Sequence, residues 1–469
     1  MSDLRIRLRR RVRGRRQRRL PAAALFLLAV LAAGCNGGGP PPYTGPPVLV
    51  VGMDGLEWSV LEPLLERGEL PNFQRLLANG TGGELRTTAP TFSPVLWTSI
   101  ATGVREERHG IRFFTELGPD GAPKPEGLPY TSECRRVPAV WNMADRFGRS
   151  VLAVAWWVSW PAERLEHGRV VASYAGQAQA NVLWKPLAHP GGLPELTWPR
   201  ELQEELRPLL RLGAPGSTLD EAYRERFGEL RLEGPLFEAI EPLFRAAFRG
   251  DRVHTACARD LLEEESADLT LLYLGLPDVA GHYYWRFREP EAYRYPVRRE
   301  GVEALGDRID RAYREADARL GEILEAAPAG SRIVVLSDHG MHAGNLDDRA
   351  AVQSGTHEDA PPGVLILSGP GVRRLGLLPR GERTLGSIFD ICPTLLDWLG
   401  LPVPEGSEGR SLREWMEPSW RREHPEPKVF DYAEGFRAPL PPREPVLGSG
   451  RSMADTFLDQ LGYGASAGG

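Results

Sequence analysis

Apolar residues in this chain come in short unbroken runs, each closing on a polar or glycine-containing segment. Val48 to Gly52, Leu269 to Leu274, Ile333 to Leu336 and Val364 to Leu367 are apolar at almost every position. A half-exposed strand would alternate, so such runs predict central strands covered on both faces. Val151 to Trp157 predicts another strand. The spacing changes between them. Leu61, Leu64, Leu65 and Phe73 fall at helical intervals. Pro94 to Ala101 opens a helix, since proline is favoured in a first turn. Val137 to Phe147 predicts a helix. Ala304 to Ala326 predicts an amphipathic one, with Ile309, Ala312, Ala316, Leu320 and Ile323 on one face. Ile388 to Leu399 reads as the last core helix, stopped by Gly400 and Pro402. Strands alternating with helices predict an α/β sheet, which places its polar site beyond the strand ends.

Residues 175–262 break this rhythm. They are rich in Pro, Trp and charge, with helical pieces near 219–231 and 235–265, and read as an inserted cap. The main folded domain is expected over 48–415. The Pro-rich tail, 416–469, is expected to be partly flexible.

Charge alters the picture at the N-terminus. The net charge of −6 conceals ten Arg and one acid within residues 1–34. The remaining chain holds 47 basic and 62 acidic residues, about −15 net, so specific nucleic-acid binding is not expected. Arg5 to Arg19 form a basic region and Leu20 to Ala33 an apolar one, as in a signal peptide over 1–34. The apolar run falls short of the roughly 20 residues of a membrane span. Leu-Ala-Ala-Gly-Cys at 31–35 resembles a bacterial lipobox, with its Leu one position further from the Cys than usual. That resemblance implies lipidation at Cys35, a tether over 35–47, and an exported protein anchored to the bacterial envelope. A twin-arginine signal or a retained basic arm would use the same Arg run. Cys134, Cys257 and Cys392 permit at most one disulfide, and no Cys-x-x-Cys pair supports a zinc ribbon.

The candidate chemistry lies in five segments: Met53-Asp54-Gly55, Thr91-Phe92-Ser93-Pro94, Asp278-Val279-Ala280-Gly281-His282, Ser337-Asp338-His339-Gly340 and Gly355-Thr356-His357. Asp278 and His282 can reach one ion from a loop or a single helical turn, and His357 is the natural third ligand, with His342 as a nearby competitor. Asp338 and His339 can face one ion where a strand turns, and Asp54 would complete that site. Two ions can stabilise the attacking and leaving oxygens of an in-line displacement at phosphorus. A hydroxyl at Ser93 would then serve as nucleophile.

These segments, with Val-Val-Gly-Met-Asp-Gly, Ser-Pro-Val-Leu-Trp-Thr-Ser-Ile-Ala-Thr-Gly, His-Gly-Ile at 109–111, Leu-Ser-Asp-His-Gly-Met, Asp390-Ile-Cys-Pro-Thr-Leu-Leu-Asp and Gly-Arg-Ser-Leu at 409–412, resemble the alkaline phosphatase superfamily. The closest branch is the type I phosphodiesterase/nucleotide pyrophosphatase family, and the resemblance runs from Val48 to Leu412. It implies an α/β, alkaline-phosphatase-like central sheet with helices on both faces and an inserted cap. It implies one metal, expected to be zinc, on Asp278, His282 and His357, and another on Asp54, Asp338 and His339. Ser93 would be ligand and nucleophile, and a phosphate ester of a small molecule or phospho-headgroup the substrate.

The chain departs from the family just after the nucleophile. Pro94 has no N–H to offer a phosphate, and Val95 and Leu96 stand where an Asn is common in nucleotide pyrophosphatases. Thr91 therefore stays open as an alternative nucleophile, although Ser93 keeps the family's distance to Gly103. The C/S-x-P-x-R setting of sulfatases is absent. A transferase that moves a phospho-headgroup to another acceptor, or a non-catalytic phosphate-binding lipoprotein, would share the same ligands. His109 reads as structural, Cys392 as a buried thiol, and Trp156, Trp157 and Trp160 as core or pocket wall.

Overall fold

The computed structural model describes residues 43–175 and 195–436, apart from 120, 122–123, 125–128 and 435. The expected signal peptide, Cys35, most of the expected tether, part of the expected cap and most of the tail lie outside the described residues.

Ten strands form one sheet. They are β1 (Val48–Met53), β2 (Gly80–Arg86), β3 (Val151–Val154), β4 (Gly168–Val171), β5 (Thr197–Trp198), β6 (Leu269–Leu274), β7 (Arg332–Leu336), β10 (Gly363–Ser368), β11 (Gly376–Leu377) and β12 (Thr384–Ser387). A two-residue pair, β8 (His342–Ala343) and β9 (Gly355–Thr356), stands apart from it. The sheet order is β11-β2-β10-β7-β1-β6-β3-β4-β5, with β12 also on β2. Strand β1 lies between β7 and β6 and is parallel to both. Strands β1, β6, β7 and β10 are buried at every position, as unbroken apolar runs require.

Helices cover this sheet in two groups. Trp58–Glu66, Pro71–Ala78, Pro235–Glu264, Leu276–Arg288 and Arg308–Ala326 pack among themselves, and Ser93–Thr102, Val140–Arg146 and Ile391–Trp398 do the same. Both faces of the central strands are thereby closed to water.

Several expectations shift in detail. Of the loop or helical turn open to Asp278, the structure has the turn: it lies in the first turn of the helix Leu276–Arg288, which Pro277 favours. The long amphipathic helix begins at Arg308, because a break at Gly306 and Asp307 separates it from a short helix over Arg299–Leu305. The strand expected to reach Trp157 stops at Val154, where Ala155 turns to a φ of 61°. Residues 175–262, read as a cap, contribute the edge strand β5, and the 30-residue helix Pro235–Glu264 packs on β6 and β3. Cys134, Cys257 and Cys392 are all free thiols. Among the described residues, no helix is long and apolar enough to cross a membrane.

Candidate metal centre

Strand register brings the first carboxylates together. Gly52 pairs with Leu336 and with Tyr273 across the two parallel ladders. Two residues further on, Asp54 and Asp338 leave adjacent strand ends side by side. The Asp54 N–H donates to the Leu274 carbonyl at 3.0 Å, extending the β1–β6 ladder past the strand. Gly55 follows at a φ of 68°, and its bare Cα lies against Asp278, where a Cβ would come within 2.7 Å of the Asp278 Cα. Glycine at this turn allows strand end and helix start to touch.

The helix Leu276–Arg288 begins on a carboxylate from the neighbouring long helix. Asp251 accepts the N–H groups of Gly275 at 2.8 Å and Leu276 at 2.9 Å. Complete burial pushes its carboxyl up to about 7 despite those two amides. Asp278 and His282, four residues apart, share one helix face, with Asp278 Oδ1 3.4 Å from His282 Nε2. His282 turns Nδ1 to the Gly355 carbonyl at 3.1 Å, which aims Nε2 inward. That carbonyl belongs to the loop carrying His357. Gly355 packs so closely on Gly281 that an added Cβ would lie 2.3 Å from the Gly281 oxygen. The His282 and His357 rings are 4.9 Å apart, and those of His339 and His357 4.1 Å.

His339 is held in the same manner. Its Nδ1 faces the Gly340 carbonyl at 3.0 Å. Its Nε2 lies 3.3 Å from Asp54 Oδ1 and 3.4 Å from Asp338 Oδ2. Ser337 steadies the turn, accepting the Leu56 N–H and donating to the His339 carbonyl.

Six expected ligands thus converge. Asp54, Asp338 and His339 form one cluster whose ligand atoms lie within 4.8 Å of one another, and Asp278, His339 and His357 form a second. His282 joins the second through Asp278 and His357. Asp54 Oδ1, Asp278 Oδ1, both Asp338 oxygens and His339 Nε2 are buried with no hydrogen-bond partner. Buried polar atoms rarely stay unpaired, so five in one place fit a bound cation. Burial and the Asp54 charge hold Asp278 and Asp338 well above the usual carboxylate range. Burial pulls His282 down to about 4 and lowers His339 and His357 too. Neutral imidazole, with its lone pair available, is the form that binds metal.

His342, the competitor, turns Nδ1 to the Ala343 carbonyl and Nε2 to that of Glu358. It is a hairpin residue. His109 is fully buried between Ser99 Oγ and the Ile111 N–H.

The two candidate nucleophiles lie at the start of the helix Ser93–Thr102 and just before it. Ser93 starts the helix Ser93–Thr102 and is buried. One turn on, Trp97 donates Nε1–H to Asp54 Oδ2 at 2.9 Å, so the Ser93 face of the helix looks toward Asp54. Thr91 Oγ1 lies 3.2 Å from His357 Nδ1. The Val95 and Leu96 N–H groups both donate to the Phe92 carbonyl, and Pro94 has none to give.

Sequence reasoning missed Trp97, Tyr273 and Asp251. The first two are aromatic residues in apolar surroundings, indistinguishable by pattern from core. Asp251 lies in the segment read as a cap, and no local signal marks it.

A family model described as type I phosphodiesterase / nucleotide pyrophosphatase matches residues 48–385. The 2,3-bisphosphoglycerate-independent phosphoglycerate mutase of Cereibacter sphaeroides is 36% identical over 104 residues, 22% of this chain and 19% of the mutase. Human arylsulfatase K is 31% identical over 115 residues, 24% of this chain and 20% of that protein. The chain thus spans about a fifth of the length of these curated relatives. Human ectonucleotide pyrophosphatase/phosphodiesterase 5 has a solved structure similar over 79% of this chain and 100% of that one, at 13% identity and a TM-score of 0.46. Phosphonoacetate hydrolase from Sinorhizobium meliloti, in complex with phosphonoformate, is similar over 64% of this chain and 58% of that one, at 19% identity and a TM-score of 0.38. The family model covers well over half of the 469 residues, from the first strand of the sheet to the last but two of β12, and the chain belongs to the type I phosphodiesterase/nucleotide pyrophosphatase family.

Proposed function

We propose that this protein is a two-metal hydrolase of phosphate esters, of the phosphodiesterase or phosphatase type, acting through a phosphorylated Ser93. The observation that carries this reading is the convergence of three carboxylates and three imidazoles, with five buried side-chain atoms lacking a hydrogen-bond partner. Asp54, Asp338 and His339, with Ser93, would hold one divalent ion; Asp278, His282 and His357 would hold the other. Bound there, ions such as zinc would supply Lewis-acid stabilisation of phosphoryl charge and favour the ionised form of a nearby hydroxyl.

The chain itself supplies positioning. The helix Ser93–Thr102 presents the Ser93 hydroxyl to the substrate, and its Oγ forms the bond to phosphorus as the leaving alcohol departs. Water then cleaves that Oγ–phosphorus bond and restores Ser93. Pro94 removes one backbone donor, so charge stabilisation rests more heavily on the cluster. Five of the six ligands are buried and Asp278 is half-buried, which limits how much solvent reaches the cluster.

Thr91 is the second reading for the nucleophile, favoured by its contact with His357. Ser93→Ala and Thr91→Ala, assayed on aryl phosphate monoesters and diesters with zinc supplied, separate the two. Ser93→Ala should abolish turnover and keep metal, while Thr91→Ala should retain turnover. The opposite pattern would assign the nucleophile to Thr91, and turnover in both variants would sink the phosphoenzyme. Export and lipid anchoring at Cys35 belong to the same proposal and are supported by the basic–apolar–Cys35 pattern of the N-terminus.

A further inference from the structure

Asp54 is the ligand whose two oxygens are treated most differently. Oδ2 accepts two hydrogen bonds, from Tyr273 Oη at 2.7 Å and from Trp97 Nε1 at 2.9 Å. Oδ1 accepts none and faces His339 Nε2. Both donors are neutral and buried. They are also locked. The Trp97 ring packs edge-on to Tyr273 and to Trp156, each at 5.1 Å between centroids. Trp156 Nε1 donates to the Trp97 carbonyl at 3.0 Å. Gly52, two residues before Asp54, lies under the Trp97 ring, where a Cβ would come within 2.4 Å of it. The donors come from different places. Tyr273 is on β6, paired with Gly52 in the sheet. Trp97 is on the helix that begins at Ser93.

We infer that Trp97 and Tyr273 are positioning residues that restrict Asp54 to one coordinating oxygen and fix the Ser93 helix to the metal ligand it must face. The inference rests on the metal reading above. A carboxylate with both oxygens free can chelate through two oxygens or rotate between them. Two donors on Oδ2 remove that freedom and present Oδ1 alone. Partners of a metal ligand that act in this way typically contribute about 10–100-fold in metal affinity. Trp97 has an added part, because its N–H is the direct tie between ligand and nucleophile helix. The Tyr273 hydroxyl reaches Asp54 from the sheet rather than from that helix.

The two roles give different signatures. Tyr273→Phe removes one hydroxyl and keeps the ring. It should weaken metal binding about 10-fold or more, read by competition between the purified full-length protein and a zinc chelator, and activity at saturating zinc should recover. Trp97→Phe keeps an aromatic ring without its N–H. It should weaken metal binding similarly, but kcat should stay low at saturating zinc with KM little changed, since Ser93 is misplaced. Circular dichroism and thermal unfolding of the zinc-loaded variants check that each has folded. Asp54→Ala serves as reference. If it loses about one zinc per chain while both aromatic variants bind zinc with unchanged affinity, the positioning role is wrong and the metal site stands. If Asp54→Ala also binds zinc as the parent does, the metal reading itself fails. Full recovery of kcat by Trp97→Phe at saturating zinc would overturn the tie to the nucleophile helix.

Discussion

Gly55→Ala should break the centre without unfolding the protein. Gly55 has a φ of 68°, and a Cβ there would lie 2.7 Å from Asp278 Cα, 2.9 Å from its Cβ and 3.1 Å from its N. Carbon atoms pack at about 3.5–4.0 Å, so the turn after β1 and the start of the helix Leu276–Arg288 must separate by about 1 Å. Neither side yields easily. The atoms struck are backbone and Cβ, the helix start is held by Asp251, and β1 is paired on both edges. The left-handed φ costs about 1–2 kcal/mol for a residue with a Cβ, and overpacking about 1–3 kcal/mol. A total of about 2–5 kcal/mol is therefore expected, released locally by moving Asp278 away from Asp54. Gly68 supplies the control, having a φ of 72° and nothing within 4 Å of an added Cβ. Gly68→Ala reports the backbone cost alone. Urea unfolding and zinc stoichiometry should show Gly55→Ala less stable than Gly68→Ala and short of metal. Gly55→Asn should do no better, since Asn tolerates the φ but keeps the Cβ. If Gly55→Ala matches Gly68→Ala in both measurements, the contact argument is wrong.

Chelated protein should lose stability as pH rises. Asp278 and Asp338 are raised well above normal by burial and Asp54, so their protons stabilise the folded metal-free state below the unfolded pKa near 4, and this is lost as pH rises through the folded values. His282, pulled down to about 4 by burial, acts oppositely, contributing fully above about 6.5 and less as pH falls. As pH rises through the raised carboxylate values, Tm with EDTA should fall relative to Tm with zinc; parallel curves would contradict this. Asp251→Ala leaves the Gly275 and Leu276 amides without their acceptor and should cost about 2 kcal/mol or more in urea unfolding, where an unchanged midpoint would refute the capping role. His342→Ala should keep full zinc binding while His357→Ala loses it, and equal losses by isothermal titration would restore His342 as a ligand.

The candidate ligands were legible because each carboxylate or imidazole segment stands at a chemical boundary. Asp54 and Asp338 follow apolar runs that could only be buried strands, and a charge there needs a partner. The sequence could not show that β1, with β6 and β7 more than 200 residues away, would lie between those two strands. Parallel pairing at such separation leaves no local trace. The sequence left Asp278 between loop and helical turn because Leu276-Pro277 reads equally as loop or helix start. Trp97 and Tyr273 were hidden by their own apolarity, since their polar atoms matter only once Asp54 is placed beside them. Asp251 was hidden for a different reason. Its helix is rich in charge and resembles a solvated surface, yet that face is packed on β6.

The central claim is that six side chains build a two-metal centre, and metal content tests it most directly. Elemental analysis of purified, folded protein should find about two transition-metal ions per chain, with Asp54→Ala and His357→Ala each lowering that number. Well-folded protein that holds no transition metal, even after zinc is supplied, would contradict the account.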